Sequence, residues 1–199
     1  MTGSKRWIGI SLLLGACVGA AGPAWAHTGL DIGGGFAAGF AHPFLGVDHM
    51  LAMVSVGAMA AVAGGRALWA LPLTFMSVMA LGGVLALLGI ELPGVEQGIA
   101  ASLIVFGALL ATQLGLSLPV SMLVVGVFAL FHGHAHGAEL PEMSSEAAYV
   151  AGFVLATGLL HLAGIFLGFG LPRLKTYAAP ALRVAGGAVA ASGLVLLLV

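Results

Sequence analysis

Long apolar stretches separated by short polar or charged turns make up most of this chain of 199 residues. A helix of about 20 apolar residues crosses the hydrocarbon core of a bilayer. The pattern therefore predicts an all-α protein, a polytopic membrane bundle of six transmembrane helices. The predicted spans cover approximately residues 30–63, 67–89, 97–113, 118–136, 147–170 and 179–199.

The first stretch is too long for one straight helix, and it contains His42-Pro43 and Gly46. Proline removes a backbone donor and disfavours helical geometry in the residue before it. We expect a half-helix or re-entrant piece over about 30–41, a break, and a full helix from about 45. Transporters often place ion sites at such breaks. The alternative is a helix that ends in an external loop near Pro43.

The N-terminal segment has the order of a secretory signal peptide. A basic pair precedes an apolar run, Pro23 ends that run, and residues 24–26 form a small-x-small cleavage site. This order predicts a signal peptide over 1–26 and a membrane domain over 27–199. Two alternatives remain at this stage: a lipoprotein signal ending at Cys17, and an uncleaved first helix.

The basic residues indicate the orientation of the spans. If the mature chain starts outside, Arg66 falls in a cytoplasmic loop, and so do Arg173, Lys175 and Arg183. This distribution follows the positive-inside rule, which a seven-span count would break. We therefore expect a multi-pass protein of the bacterial inner membrane, with both mature termini outside.

Composition narrows the partners and the chemistry. Hydrophobic residues make up 61% of the chain and charged residues 7%, whereas soluble domains have about 25% charged residues. We therefore expect the lipid bilayer to surround the protein. A net charge of −1 indicates that nucleic acid is not a partner. With one cysteine and no CxxC pair, a metal site would use imidazole and carboxylate groups.

A first group of ionisable residues lies in the broken span, where His42, Asp48 and His49 interrupt an apolar run. Ionisable residues inside a membrane are candidates for function because burying them in lipid is costly. Asp48 would bind a metal directly or orient an imidazole that does. The alternative is an Asp48–histidine hydrogen bond that only ties the broken segment together.

A second group ends the fourth span. His132 and His136 are spaced i and i+4, so a helix presents both on one face, and Glu139 extends that stripe. Two imidazoles and a carboxylate suit Ni²⁺, Co²⁺, Zn²⁺ or Cu²⁺. His134 points roughly the opposite way and is a weaker candidate. The alternative is an interfacial histidine run that ends the helix or binds metal without transport.

Two further histidines are weaker candidates for the metal. His27 would be the first residue after cleavage, and its amine and imidazole would chelate a metal before transport or remain solvated. His161 lies near the middle of the fifth span, one turn after Thr157, where it would line a path or pack against a neighbouring helix.

The chain lacks the H-E-x-x-H, G-x-S-x-G and Walker patterns. We therefore predict that it is not an enzyme, that it holds no organic cofactor, and that ion or proton gradients or an external partner drive any transport. Two alternatives stay open. One is an intramembrane zinc hydrolase with Glu139 as its base, and the other is a metal chaperone or sensor that does not transport.

The two motifs His42-Pro-x-x-Gly-x-Asp48-His49-x-Leu-Ala-Met and Phe-His132-Gly-x-Ala-His136-Gly-x-Glu139 resemble those of the HupE/UreJ family of hydrogenase and urease accessory proteins. The resemblance covers the whole chain in order and spacing. It implies a nickel permease with a signal peptide and about six spans, Ni²⁺ or Co²⁺ as the transported ion, and nickel-enzyme maturation proteins as partners. It also implies that the six numbered residues of the two motifs serve the metal.

Overall fold

The computed structural model describes residues 35–138, 146–170 and 178–198, and all of these belong to one compact unit. They form helices in the order α1 (Gly35–Leu45), α2 (Val47–Ala63), α3 (Ala67–Leu87), α4 (Val95–Thr112), α5 (Leu118–Ala138), α6 (Glu146–Gly170) and α7 (Ala178–Leu198). Five of these helices are long and apolar enough to cross a membrane, and α1 with α2 provides a sixth span if the bent pair counts as one. The predicted all-α membrane bundle is confirmed.

Several sequence predictions concern residues outside the described ranges. The signal peptide over 1–26, His27 and Glu139 lie there, as do the basic residues Arg173 and Lys175. The predictions made for these residues therefore stay predictions.

The break in the first span is confirmed, and it lies at Gly46. Helices α1 and α2 meet there at an angle of 81°, whereas Pro43 lies inside α1. Proline inside a helix removes one backbone hydrogen bond and crowds the carbonyl four residues earlier, and α1 continues for only two residues beyond Pro43. Gly46 has an extended backbone (φ −87°, ψ 105°), and its carbonyl accepts the first hydrogen bond of α2, from the Met50 N–H at 2.9 Å. The chain therefore turns at the glycine, three residues after the proline.

Close helix pairs form the bundle, and glycines line their contacts. α2 packs in parallel on α6, α3 packs in parallel on α5, and α4 packs antiparallel on α7. A Cβ atom on Gly57, Gly133 or Gly107 would overlap backbone atoms of the partner helix. Small residues permit this close approach in membranes, where van der Waals packing replaces the hydrophobic effect as a driving force.

The helices divide their apolar side chains between a core and an outer surface. Phe75, Phe106 and Met53 are fully buried in the core. Large apolar side chains such as Leu123 and Phe166 are exposed. An outer surface of this kind is stable when lipid covers it, because lipid tails are as apolar as these side chains.

Candidate metal centre

The first turn of α2 holds a carboxylate–imidazole pair. Asp48 Oδ1 accepts hydrogen bonds from the backbone N–H and the ring Nδ1 of His49, both at 2.8 Å. A first-turn N–H has no partner within its helix, and a negative charge is favourable at this positive end of the helix. Because the carboxylate can only accept, His49 carries its proton on Nδ1 and keeps a lone pair on Nε2.

Gly46 leaves the space for this pair. A Cβ atom at Gly46 would lie 3.1 Å from both Asp48 Oδ1 and His49 Nδ1. Such contacts are tighter than ordinary van der Waals contacts, so a larger residue would push the carboxylate and the ring away. The glycine at the break therefore positions the pair as well as the two helices.

The last two turns of α5 present His132 and His136 on one face, as their spacing predicts. His132 is 0% exposed, and its Nε2 lies 2.9 Å from Ser102 Oγ on α4. The single hydroxyl proton of Ser102 goes to the Ile99 carbonyl at 2.6 Å. Ser102 therefore accepts from His132 Nε2–H, and the ring keeps its lone pair on Nδ1.

The two motifs meet inside the bundle. The ring of His49 lies 4.7 Å from that of His132 and 4.2 Å from that of His136, measured between centroids. His42 Nε2 lies 3.0 Å from His136 Nδ1. We call these four residues, together with Asp48, the histidine cluster. Three helices, α1, α2 and α5, contribute to it.

Three imidazole nitrogens of the histidine cluster are buried and have no hydrogen-bond partner among the described residues: His49 Nε2, His132 Nδ1 and His136 Nε2. An unpaired buried polar atom costs about 1–3 kcal/mol, and a cation would satisfy such lone pairs. However, no three His, Cys, Asp or Glu side chains within the described ranges form a ready metal-binding group. The nitrogens of His42 and His136 face each other, so these rings must turn before they can share one ion.

Aromatic side chains surround the cluster. The ring of Phe153 lies 4.6 Å from that of His136, and the ring of Tyr149 lies 5.9 Å from that of His42. Phe75 lies 5.6 Å from His132. Apolar surroundings keep the local dielectric constant low, so the attraction between a cation and Asp48 is stronger here than in water.

The two weaker candidates among the described residues lie apart from the cluster. His134 is on the other side of α5, where its Nε2 donates to the Ile90 carbonyl at 2.9 Å. His161 Nδ1 donates to the Thr157 carbonyl at 2.8 Å, and its ring contacts Phe75 at 5.2 Å. Among the described residues, no ring contact joins His161 to the histidine cluster.

Comparison with known proteins decides the family. A model of the family described as HupE / UreJ protein matches residues 15–196. The chain belongs to the HupE/UreJ family. This confirms the resemblance drawn from the two motifs.

A curated relative matches most of the chain as well. The HupE/UreJ chain is 51% identical over 176 residues to Protein HupE of Rhizobium leguminosarum bv. viciae, a match that covers 87% of this chain and 90% of the relative. No solved structure matches.

The end of the HupE/UreJ bundle opposite to the histidine cluster contains a cavity of about 500 Å³. It lies where α2 and α4 end and where α3 and α5 begin. Most of its lining is apolar, and Gln113, Ser117 and Ser121 add polar groups. Arg66, in the turn between α2 and α3, is at this end. Arg183 is there as well, because Gly186 on the same helix packs against Ala111 at the end of α4.

Sequence reasoning missed four residues that contact the cluster: Ser102, Phe75, Tyr149 and Phe153. Of the four, Ser102 could most easily have been predicted, because a hydroxyl in an apolar span needs a hydrogen-bond partner. Its partner is 30 residues away on another helix, and no local pattern specifies that distance. The three aromatic residues resemble any other membrane core residue in sequence.

Proposed function

We propose that this protein is a secondary transporter of a divalent transition metal. The proposed ion is Ni²⁺, and Co²⁺ is the alternative. The protein would carry the ion across the inner membrane to supply hydrogenase or urease maturation, and it is not an enzyme. One observation carries the proposal. A cluster of four imidazoles and one carboxylate lies inside a bundle of apolar helices long enough to span a membrane, and three of its buried imidazole nitrogens have no hydrogen-bond partner among the described residues.

The donor set suits such an ion. Imidazole nitrogens and a carboxylate bind Ni²⁺ and Co²⁺, whereas thiolates hold soft metals more tightly. Asp48 orients His49 as a carboxylate partner does in metal sites, and it raises the basicity of the ring. Its negative charge also offsets the positive end of α2, which would otherwise repel a cation.

The rings of His42 and His136 must turn before they can bind one ion together, and this favours transport over permanent storage of the metal. To bind the ion, the His42 ring must give up its contact with His136, and this loss offsets part of the free energy gained when the three unpaired nitrogens bind. The net affinity is therefore moderate, and the ion can leave. The ligands must also be neutral, so protons compete with the metal. We propose that protons are the coupling ion. Equal uptake under pH gradients of either sign would contradict that coupling.

The basic residues at one end support a direction of transport. Arg66 and Arg183 lie at the end with the cavity, and the guanidinium of Arg66 lies 5.9 Å from the ring centre of Trp69. By the positive-inside rule this end faces the cytoplasm, and a tryptophan at the interface fits that position. The ion would be captured outside, with Glu139 and His27 as first contacts, pass through the histidine cluster and leave at the cavity.

The test is uptake of ⁶³Ni²⁺ into proteoliposomes that contain the full chain. We expect uptake by the wild type and its loss in the His42→Ala and His132→Ala variants. His134→Ala is the matched control, because it removes an imidazole of the same helix that contacts Ile90 instead of the cluster. Addition of excess Co²⁺ to the same vesicles ranks the two metals.

The alternatives give a different result in these vesicles. An intramembrane zinc hydrolase, or a metal chaperone or sensor, would bind metal without accumulating it in the lumen. Tight nickel binding to the wild type without vesicle uptake would therefore contradict the transport proposal and favour those classes.

A further inference from the structure

His161 shares an unusual property with the histidine cluster. It is 1% exposed, its Nδ1–H donates to the Thr157 carbonyl, and its buried Nε2 has no hydrogen-bond partner within the described part of the chain. The Thr157 hydroxyl, one turn earlier on α6, is likewise buried and has no partner among those residues. A buried imidazole lone pair and a hydroxyl oxygen on the same helix are a pair of potential donors to a cation.

Along the axis of the bundle, His161 lies on the side of the histidine cluster that faces the cavity. Gly57 of α2 packs directly on the His161 carbonyl. Gly57 follows His49 by eight residues, which is roughly 12 Å along a helix axis at 1.5 Å per residue. Two residues further along α2, Met59 begins the lining of the cavity at the other end. His161 therefore lies at a level between the cluster and the cavity.

The ring of Phe75 contacts both the histidine cluster and His161. Phe75 is fully buried and contacts both His132, at 5.6 Å, and His161, at 5.2 Å. Leu71, one turn earlier on α3, lines the cavity. A cation that leaves the cluster for the cavity would pass this ring, whose face is attractive to cations.

We propose that His161 Nε2 and the Thr157 hydroxyl form a second, weaker station for the transported cation, with the Phe75 ring between this station and the histidine cluster. The proposal rests on the proposed transport function and deepens it. One imidazole and one hydroxyl hold a divalent transition metal less tightly than the cluster does. Conduction requires sites that bind weakly enough to release the ion, and a station of this kind lowers the barrier in the apolar middle of the bundle.

A purely structural role for His161 predicts a different response to substitution. In that role the residue needs only its Nδ1–H bond to the Thr157 carbonyl. His161→Asn keeps an amide N–H near the position of Nδ1 and removes the Nε2 lone pair. Thr157→Val keeps the shape of the side chain and removes the hydroxyl. These two variants therefore delete the proposed donors. Thr157→Val leaves the packing nearly unchanged, whereas His161→Asn also removes part of a buried ring that contacts Phe75.

The first experiment measures ⁶³Ni²⁺ uptake in proteoliposomes for the wild type and both variants, beside nickel affinity in detergent. For His161→Asn we expect uptake to fall by at least about tenfold while the affinity of the tighter site stays within about twofold. For Thr157→Val we expect a fall of about two- to fivefold. Uptake by His161→Asn within about twofold of the wild type would overturn the second station.

The second experiment counts bound nickel, and it keeps the proposal testable if His161→Asn folds poorly. Equilibrium dialysis at saturating Ni²⁺ should find two ions per folded wild-type chain, and one for His161→Asn or for His49→Ala. One ion per wild-type chain would overturn the proposal. If wild-type vesicles bind two ions and accumulate none, the transport function fails instead, and the two failures are thereby distinguished.

Discussion

The two ends of the bundle differ in the ligands that they offer a cation. At one end, α1, α2 and α5 bring four imidazoles and the Asp48 carboxylate into contact, and aromatic rings surround them. At the other end, α2 to α5 enclose a cavity lined by apolar side chains with Gln113, Ser117 and Ser121, and without a histidine or a carboxylate among the described residues that line it. Strong ligands at one end and weak ones at the other are what capture at the first and release at the second require.

A single helix links the two regions. α2 begins with the Asp48–His49 pair and ends at the cavity, where Met59 and Ala63 lie. Its contact with α6 runs along this length through Gly57, Gly164 and Gly168. Helix α2 therefore positions the Asp48–His49 pair at one end and part of the cavity at the other. Under the proposed function, substitutions at the two ends should have unequal effects on uptake.

The largest effect is expected at the cluster. His49→Ala removes a ring that contacts both His132 and His136 and leaves the partly buried Asp48 carboxylate without its imidazole partner. Partners that only orient a metal ligand are worth about 10- to 100-fold in affinity, so loss of a ligand should lower nickel uptake by at least about 100-fold. The measurement is initial ⁶³Ni²⁺ uptake, with His134→Ala as the control. Equal uptake by the two variants would contradict the role of the cluster.

The next effect is expected for Asp48→Asn. Asparagine keeps an oxygen that accepts the His49 N–H bonds and removes the negative charge, so the fold should persist while nickel affinity falls by about 10- to 100-fold. Isothermal titration in detergent measures this. Glu146→Gln is the matched control, because it removes an exposed carboxylate from the first turn of α6. Loss of affinity in both variants alike would mean that general surface charge, and not the Asp48–His49 pair, attracts the ion.

A smaller effect is expected for Ser102→Ala. The variant leaves His132 Nε2–H without its acceptor, and the ring can then adopt the other tautomer or orientation. A hydrogen bond of about 1 kcal/mol corresponds to roughly fivefold weaker nickel binding. Ser192→Ala removes a hydroxyl that bonds within α7 and serves as control. An unchanged affinity for Ser102→Ala would show that Ser102 does not select the His132 tautomer.

The smallest effect is expected at the cavity. Ser121→Ala removes one weak polar group from the lining, and nickel uptake should change by less than about twofold, as for most substitutions away from a site. Uptake assays under the conditions used for His49→Ala allow a direct comparison. A loss as large as that of His49→Ala would reverse the contrast between the two ends and place a binding site at the cavity.

The sequence predicted the fold well because membrane insertion is decided by local composition. Long apolar runs indicated the helices, and the predicted break in the first span was confirmed. The predicted position of the break, between about residues 41 and 45, was a few residues too early, although Pro43 and Gly46 both disfavour a continuous helix. The structure keeps Pro43 inside α1 and turns at Gly46. The competition between two neighbouring helix breakers depends on what packs against them, and this information lies elsewhere in the chain.

The candidate site was predictable in its members and unpredictable in its contacts. Spacing alone placed His132 and His136 on one face of a helix and set Asp48 beside His49. The transport hypothesis required the two groups to meet, but spacing could not show that they do. Spacing also gave no reason to pair His132 with Ser102 or to place Phe75 beside His161. These contacts join residues on different helices, and they depend on how the glycine-lined helix pairs cross.

By itself, therefore, the sequence determined that this protein is a helical membrane protein, which residues interrupt its apolar spans, and which family it resembles. Only the tertiary structure decided which imidazoles share one buried site, which of their nitrogens remain open, and which end of the bundle holds a cavity. The physical reason is range: hydrophobicity and helical periodicity act over a few turns, whereas a hydrogen bond such as that between His42 and His136 depends on the packing of the whole bundle.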